Sequence, residues 1–231
     1  IMIESKFLKI NKSNMHYRSA GQGDPIVFLH GIPTSSYLWR NILPELSSYG
    51  RCIAPDLIGM GDSAKPDIEY SVFQHIDYID KLLLDMDLHN ITFVLHGWGS
   101  VIGFDIASRY PDRVKGLAFY ESHLRPAIEW DMLSLPVQQF AAGLENIEKC
   151  KKAVIKDNFF IETMLKTAAM GDLSEKTIEV YSKPFQTPES RSPLWQYVLD
   201  LPLGEHDGEV IKLIDRYSAW LQKTDLPKLM L

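Results

Sequence analysis

A long uncharged apolar segment is missing from this sequence of 231 residues. The longest stretch without a formal charge in its middle part, His89 to Phe104, is interrupted by three glycines and two histidines. It falls short of the roughly 20 residues that a helix needs to cross a bilayer, so we predict no transmembrane helix. The first residues, Ile1–Lys6, lack a basic region followed by an apolar core, so no secretory signal is predicted either.

Basic clusters and cysteines are scarce as well. Lys and Arg number 24 against 30 Asp and Glu, for a net charge of -6, and the longest basic block is Lys149–Lys152. Such a chain offers no face that neutralises phosphates, which argues against nucleic acid and anionic membranes as partners. The two cysteines, Cys52 and Cys150, are predicted to be reduced thiols of a cytoplasmic protein. No His, Cys and Asp cluster has metal-ligand spacing, so no metal is expected.

Short apolar segments recur along the chain, whose composition is 45% apolar and suits one globular domain. Several are apolar at nearly every position, which is typical of strands buried on both faces of a parallel sheet. The segments predicted as strands are Lys6–Ile10, Met15–Arg18, Pro25–Leu29, Arg51–Ala54, Ile91–Leu95, Gly116–Tyr120 and Lys228–Leu231.

Helical patterns lie between the predicted strands, over Ser35–Leu46, Ser71–Met86 and Ser100–Arg109. The alternation of strand and helix predicts an α/β fold with a mostly parallel, doubly wound sheet. Its first two strands are expected to pair as a hairpin through Lys12–Asn14.

Strand patterns vanish between Ser122 and Thr224 and return at Leu226–Leu231. We predict a core over residues 1–121, a helical cap over 122–224 at the carboxyl end of the sheet, and a returning core strand over 225–231. That strand reaches no turn signal, so the chain is expected to be a fragment without the last strand and helix of its fold. The cap aromatics and methionines are expected to be mostly core, with a few lining a pocket: Trp130, Met132, Phe140, Phe159, Phe160, Met164, Met170, Phe185 and Trp195.

The segment Ile91–Gly103 has the pattern of strand, sharp glycine turn and helix that builds a nucleophile elbow. In such a turn one residue is held in strained backbone geometry at the carboxyl end of the sheet, with small residues beside it. Position 97 is where the nucleophile should stand. The loops His30–Thr34 and Asp56–Ser63 and the residue Glu121 also follow strands, so they should reach the same edge of the sheet.

These motifs resemble the haloalkane dehalogenases of the α/β-hydrolase fold, and the resemblance covers nearly all of the chain. Beside the elbow, it is carried by the segments His30–Arg40, Arg51–Gly61, Val114–Gly116, Asp157–Glu162 and Pro193–Trp195. It implies a hydrolase that cleaves carbon-halogen bonds without a cofactor. An elbow carboxylate displaces the halide, and a His-activated water hydrolyses the resulting ester. The implied partners are a small apolar halogenated molecule and water, bound by a monomer.

The resemblance also assigns roles to single positions. It implies that Trp98 and an Asn hold the halide through N–H donors, and that Glu121 is the acid supporting the catalytic His. Ile32 stands where the family has that Asn, and Gly97 stands where it has the nucleophilic Asp. A glycine has no side chain with which to attack, and Ile32 can offer only its backbone.

Several side chains near the elbow have ordinary structural interpretations. Ser100 is expected to cap the helix, and His96 is expected to be a packed histidine. Asp56 and Asp62 should fix their loop by bonds to the backbone. The family order is nucleophile, acid, histidine, and the histidine follows the last strand, so its region is expected to be absent. Neither His123 nor His206 is expected to replace it.

The sequence therefore predicts a haloalkane dehalogenase relative that does not turn over as it stands. A second hypothesis is a non-catalytic protein that keeps the apolar pocket and Trp98 to bind a halide or small ligand. A third is a monooxygenase like the coelenterazine luciferases, which share the loops, the elbow and the cap. Epoxide hydrolases share the scaffold but also need an elbow Asp, so they rank lower.

Overall fold

A computed structural model describes residues 2–126, 146–169, 171–202 and 208–231. Five of the histidines, aromatics and methionines singled out above therefore lie outside the described part: His206, Trp130, Met132, Phe140 and Met170.

A seven-stranded sheet forms the centre of the molecule, with strand order β1-β2-β4-β3-β5-β6-β7. The first two strands run antiparallel to their neighbours, and β3 to β7 pair in parallel. All seven predicted strands are confirmed within a few residues: β1 Glu4–Ile10, β2 Ser13–Ala20, β3 Pro25–Leu29, β4 Arg51–Pro55, β5 Ile91–Gly97, β6 Val114–Ser122 and β7 Lys228–Met230. The mixed sheet confirms the predicted α/β class.

The hairpin of β1 and β2 turns earlier than predicted. Its two central residues are Asn11 and Lys12, with φ of 48° and 67°, and Ile10 pairs with Ser13. Two left-handed residues in a two-residue loop match the twist of the flanking strands. A lysine at such a position is unusual, which is why the sequence pointed to Lys12–Asn14 instead.

Eight α-helices are present in the described part: α1 Leu43–Leu46, α2 Val72–Asp85, α3 Trp98–Arg109, α4 Ile147–Ile155, α5 Leu165–Ala168, α6 Glu175–Ser182, α7 Ser192–Asp200 and α8 Glu209–Leu221. The predicted helix over Ser71–Met86 is confirmed as α2, which begins with a capping box between Ser71 and Gln74. None of the helices in the described part of the chain is long and apolar enough to span a membrane.

The continuous helix predicted over Ser35–Leu46 is wrong. The structure has a 3-10 turn at Ser36–Trp39 and then the single turn α1. Pro44 lies in the first turn of α1 and has no N–H to donate to an earlier turn, so one helix cannot run through it.

Apolar side chains cover both faces of the sheet. Val27 and Leu29 of β3 belong to the larger cluster, which includes side chains from α2, α3 and α8. Phe28, between them in sequence, packs on the other face with Trp39 and Cys52. This burial of successive residues on opposite faces explains the continuous apolar runs of the sequence.

Arg191 joins separate parts of the helical region between β6 and β7. Its guanidinium is buried and donates to the backbone carbonyls of Ile155, Lys156, Phe185 and Gln186 at 2.7 to 3.4 Å. The carbonyls that end α4 are thus satisfied by a side chain from a distant part of the sequence.

The same helical region is attached to the loop that follows β4. Lys65 donates to the backbone carbonyls of Gly59 and Ser190, and burial lowers the pKa of Lys65 to about 8. Asp200 accepts a hydrogen bond from the N–H of Val72 at 2.6 Å. These contacts hold α7 over the end of the sheet where the parallel strands finish.

Close packing of α3 on β3 depends on Gly99. A Cβ at this position would lie 2.4 Å from the backbone oxygen of Leu29 and 2.8 Å from that of His30. We expect Gly99→Ala to lower the free energy of unfolding by about 2 to 3 kcal/mol, because backbone atoms must move. Urea unfolding measures this loss. Gly116→Ala is the matched control, since its Cβ would meet nothing nearer than 3.5 Å; equal losses in both variants would contradict the expectation.

Candidate active site

The predicted elbow lies at the junction of β5 and α3. Gly97 ends the strand with φ 52° and ψ -125°, and Trp98 begins the helix in the next position. The helix therefore starts two residues earlier than predicted. Such backbone angles cost a residue with a side chain of the order of 1 to 3 kcal/mol, whereas glycine adopts them freely. The strained turn that the sequence indicated is present.

Ser100 is held by the backbone around the elbow. Its hydroxyl donates to the carbonyl oxygen of Gly97 at 2.7 Å and accepts the N–H of His123 at 2.9 Å. It therefore does not cap the helix as predicted, since it donates to a carbonyl instead of accepting an N–H of the first turn. Both hydrogen bonds join its oxygen to the backbone, so Ser100 has a structural role, although not the one predicted.

Trp98 is almost fully buried, with 2% of its surface exposed. Its ring contacts two others edge-on: Tyr197 of α7 at 5.0 Å and His123 at 5.5 Å. Burial lowers the pKa of His123 to about 4, so its ring is neutral at pH 7. The strand that ends at Ser122 and the helix α7 thus meet over the residue that follows the elbow.

Tyr197 was missed by the sequence analysis. It follows the segment Pro193–Trp195 that carried part of the resemblance, but no local pattern marks a tyrosine in an amphipathic helix as a partner of Trp98. The contact arises from the position of α7 above the sheet.

Glu121 lies near the end of β6, and 78% of its side-chain surface is exposed. Its Oε2 lies 3.0 Å from Nε2 of His96, whose ring stacks on Tyr120 with centroids 4.6 Å apart. A carboxylate only accepts, so Nε2 of His96 carries the proton. Glu121 therefore supports a histidine, and that histidine directly precedes Gly97.

His96 also has a buried nitrogen without a protein partner. Its Nδ1 has no hydrogen bond within the described residues. A Cβ built on Gly31 would lie 3.2 Å from this nitrogen and 3.3 Å from Cα of Gly97. The loop after β3 and the elbow are thus in close contact.

The loop that carries Ile32 is fixed by His30. The N–H of Leu57 donates to Nε2 of His30 at 3.0 Å, so Nδ1 of the ring carries the proton and donates to the carbonyl of Gly31 at 2.8 Å. Burial lowers the pKa of His30 and keeps the ring neutral. Ile32 is half-buried against the larger apolar cluster and is followed by a cis bond to Pro33. Pro33 has no N–H, so it cannot supply a hydrogen-bond donor next to Ile32.

Asp56 anchors the loop after β4, as predicted. It is buried and accepts the N–H groups of Ser36 at 2.6 Å and Asp62 at 2.8 Å, and it pairs with Nδ1 of His16 at 2.7 Å. Burial alone would raise the pKa of this carboxyl, but the hydrogen bonds from His16 and from the N–H of Asp62 lower it below its usual range.

Asp62 does not hold the loop by its side chain, which corrects that interpretation. Its carboxylate pairs with Lys183 at 2.7 Å, an exposed contact that reaches the helical region. Ligand-type atoms of His16, Asp56 and Asp62 nevertheless lie within 4.8 Å of one another, a grouping that sequence spacing could not reveal. His16 and Asp56 are already bonded to each other, so their donor and acceptor atoms are satisfied within the protein.

Most residues singled out from the sequence thus lie at one edge of the sheet. Gly97, Trp98 and Ser100 form the elbow, His96 and Glu121 form a pair beside it, and the loop of Ile32 touches it through Gly31. Of the described aromatics and methionines that were predicted for the cap, Phe160 and Phe185 are core, while Phe159, Met164 and Trp195 are partly buried against it.

Comparisons with known proteins agree with this arrangement. The family profile of the alpha/beta hydrolase fold matches residues 24–207. A haloalkane dehalogenase of Mesorhizobium japonicum is 38% identical over 226 residues, which are 96% of this chain and 73% of the relative. One of Mycolicibacterium smegmatis is 40% identical over 98% of this chain and 74% of its own length.

Solved structures give the same result. The haloalkane dehalogenase DatA from Agrobacterium tumefaciens C58 superposes with a TM-score of 0.92 at 36% identity, over 99% of this chain and 78% of that one. DbeA from Bradyrhizobium elkani gives a TM-score of 0.94 at 34% identity, over 99% and 80%. The predicted fold class and the resemblance are confirmed.

Proposed function

This chain belongs to the haloalkane dehalogenases, hydrolases of the α/β-hydrolase fold, and on that premise we propose that it binds a small halogenated alkane at the elbow without hydrolysing it. The observation that carries the second part is Gly97 at the turn where the family reaction needs a carboxylate. The fold is therefore proposed to be that of an enzyme that cleaves carbon-halogen bonds. This chain, with Gly97, is proposed to bind the haloalkane only.

The chemistry explains why one residue decides this state. Covalent catalysis needs an oxygen or sulfur nucleophile placed beside the reacting carbon. Gly97 offers none, and the hydroxyl of Ser100 is engaged by the carbonyl of Gly97 and the N–H of His123. Without attack on the carbon, the carbon-halogen bond stays intact.

We assign halide binding to Trp98, supported by its position directly after the elbow and its buried ring. An indole N–H is a donor only, which suits an anion. The aliphatic side chain of Ile32 adds no second donor, so only its backbone could contribute. A site with one side-chain donor in place of two should hold halide more weakly than a site with both.

Glu121 is proposed as the carboxylate that supports a histidine base. Its bond to His96 supports the idea that it can accept from an imidazole N–H at this edge of the sheet. Its exposure keeps the carboxylate hydrated, so it needs no buried partner.

The helical region is proposed as a cap over residues 122–224, on a core of 1–121 continued by 225–231. In the described part of the chain, β6 ends at Ser122 and the next strand begins at Lys228, and Tyr197 packs on Trp98 in between. Such a cap would keep water from an apolar substrate. The predictions of a monomer, of a cytoplasmic location and of no cofactor, nucleic acid or membrane partner remain predictions.

Halide binding is expected to quench tryptophan fluorescence through Trp98. We expect bromide to quench a saturable part of the emission, and Trp98→Phe to abolish that part while leaving the linear collisional quenching of the other tryptophans. Titration with sodium bromide at constant ionic strength measures both. Trp220→Phe is the matched control, because Trp220 lies in α8, outside the elbow segment Ile91–Gly103. Saturable quenching that survives Trp98→Phe would remove the assigned role.

The direct test of the proposed function is bromide release from 1-bromobutane by the unaltered chain and by Gly97→Asp. Release by the variant alone supports it. No release by either, together with no saturable bromide binding, would contradict it. Light emission with coelenterazine would favour the luciferase-like hypothesis instead.

A further inference from the structure

We propose that a free small carboxylate, formate or acetate, binds beside Gly97 and displaces the halide from a bound haloalkane, giving an alkyl ester. This activity rests on the proposed function, because it needs the haloalkane to bind at the elbow. It goes beyond that function, since the unaltered chain would transfer an alkyl group to a small anion.

The space beside Gly97 has one close atom in the direction a side chain would take. Apart from the chain neighbours of Gly97, a Cβ built there would meet only Cα of Gly31 within 4 Å, at 3.3 Å, a tight contact that a shift of a few tenths of an ångström relieves. The neighbouring glycines of the elbow helix differ: at Gly99 a Cβ would lie 2.4 Å from backbone, and at Gly103 2.3 Å from Leu95. Gly97 is also only half-buried, so a small solute can reach it.

The polar side chains of Ser100 and Glu121 are held by hydrogen bonds to other groups, so they do not compete for this space. Ser100 is engaged by backbone on both sides. Glu121 is turned towards solvent and bonded to His96. Its negative charge opposes a second anion nearby, so we expect weak binding that needs formate in large excess over protein.

The side chain that is missing at Gly97 sets the size of the anion that can bind there. An aspartate side chain beyond Cα is an acetate unit, but a free methyl group cannot approach Cα as closely as a bonded Cβ, so formate, smaller by one carbon, fits the space more easily than acetate. The first turn of α3 has backbone N–H groups without partners in the helix, which favours an anion, while the space beside Gly97 limits its size. Propionate and butyrate carry extra carbons that must enter the contact with Gly31.

The step balances without a base. A carboxylate oxygen forms a bond to the carbon, the carbon-bromine bond breaks, and bromide leaves with the electron pair. No proton moves. The product, butyl formate, is not attached to the chain, so it can dissociate without the histidine-activated water that an enzyme-bound ester requires. The proposed activity therefore does not depend on a catalytic histidine.

The experiment measures bromide and butyl formate from 1-bromobutane with the unaltered chain in formate, against chloride at equal ionic strength. We expect formate to raise bromide release at least about tenfold, through the effective concentration of a bound nucleophile. The expected order is formate and acetate above propionate, and propionate above butyrate. The same salts without protein give the background rate.

Gly97→Ala is the variant control, because its methyl group would occupy the space of the anion. It should lose the formate effect, and circular dichroism checks that it folds. If this variant does not fold, the comparison of formate, acetate, propionate and butyrate with the unaltered chain still tests the inference. Equal stimulation by all four carboxylates, or none by formate, would overturn the inference.

The outcome with Gly97→Asp separates this inference from the proposed function. If that variant releases bromide and formate does nothing for the unaltered chain, the inference is wrong and the proposed function stands. If neither releases bromide and bromide binding is not saturable, the proposed function fails and this inference fails with it.

Discussion

Gly97→Asp is expected to release bromide from 1-bromobutane at least about a thousandfold faster than the unaltered chain, because removal of a catalytic nucleophile costs other hydrolases rates of that order or more. The carboxylate would stand at the end of β5, in the direction where a Cβ meets only Cα of Gly31. Ion chromatography of bromide measures the rate. Intact-protein mass measures the enzyme ester, as a gain of one butyl group in place of a proton.

The time course of that variant also reports on the base. A burst of one bromide per chain followed by a stop means that the ester forms and is not hydrolysed, whereas continued release means that a histidine activates water. Gly97→Asn is the matched control, since it has nearly the same shape and no carboxylate. Both variants carry the backbone cost of a side chain at φ 52°, about 1 to 3 kcal/mol. Equal bromide release by both would contradict a nucleophilic role for position 97.

Acid is expected to unfold this protein well above pH 4. Burial lowers the pKa of His75 to about 3 and that of His123 to about 4, and it lowers the pKa of His30 as well. In the unfolded chain each histidine titrates near 6.5. Below that pH the unfolded state binds up to three more protons than the folded state, so stability falls by up to about 4 kcal/mol per pH unit.

The free energy of unfolding decreases as the pH falls, because the fold keeps these histidines in their neutral form. Its stabilising effect is fully present above the unfolded pKa and is lost as the pH falls towards the folded pKa. The lowered pKa of Asp56 acts in the same direction, but only near and below the ordinary carboxyl range, so measurements from pH 7.5 to 4.5 report mainly the histidines.

Urea unfolding at each pH gives the slope, and His75→Leu provides the control. Nδ1 of His75 is buried without a partner in the described part of the chain, so replacing the ring removes a titrating group at small cost. We expect the variant to lose about a third of the slope between pH 6 and 5. An unchanged slope would show that His75 takes up protons in the folded state too.

The strands could be predicted because burial on both faces leaves an unbroken apolar signal. The helix Ser35–Leu46 could not, since the effect of Pro44 on its neighbours competes with a good capping signal at Ser35. The turn at Asn11 and Lys12 was misplaced because its lysine takes a conformation that its residue type rarely adopts.

In the candidate site, too, some features could be predicted from the sequence and others could not. The elbow, Trp98 and the loop of Ile32 are local motifs, and their proximity follows from the carboxyl ends of parallel strands. The contact of Tyr197 with Trp98, the exposure of Glu121 and its bond to His96 depend on how helices and strand ends are placed in space. No short pattern in the chain encodes these three features.

Arg191 has a consequence for how the helical region opens. One guanidinium satisfies carbonyls at the end of α4 and in the segment before α7, so neither part can separate without leaving buried groups unpaired. The two segments should therefore fluctuate open together, as one cooperative unit in hydrogen exchange. Substrate entry that requires such an opening would be governed by a joint motion of both segments, not by the fraying of one helix.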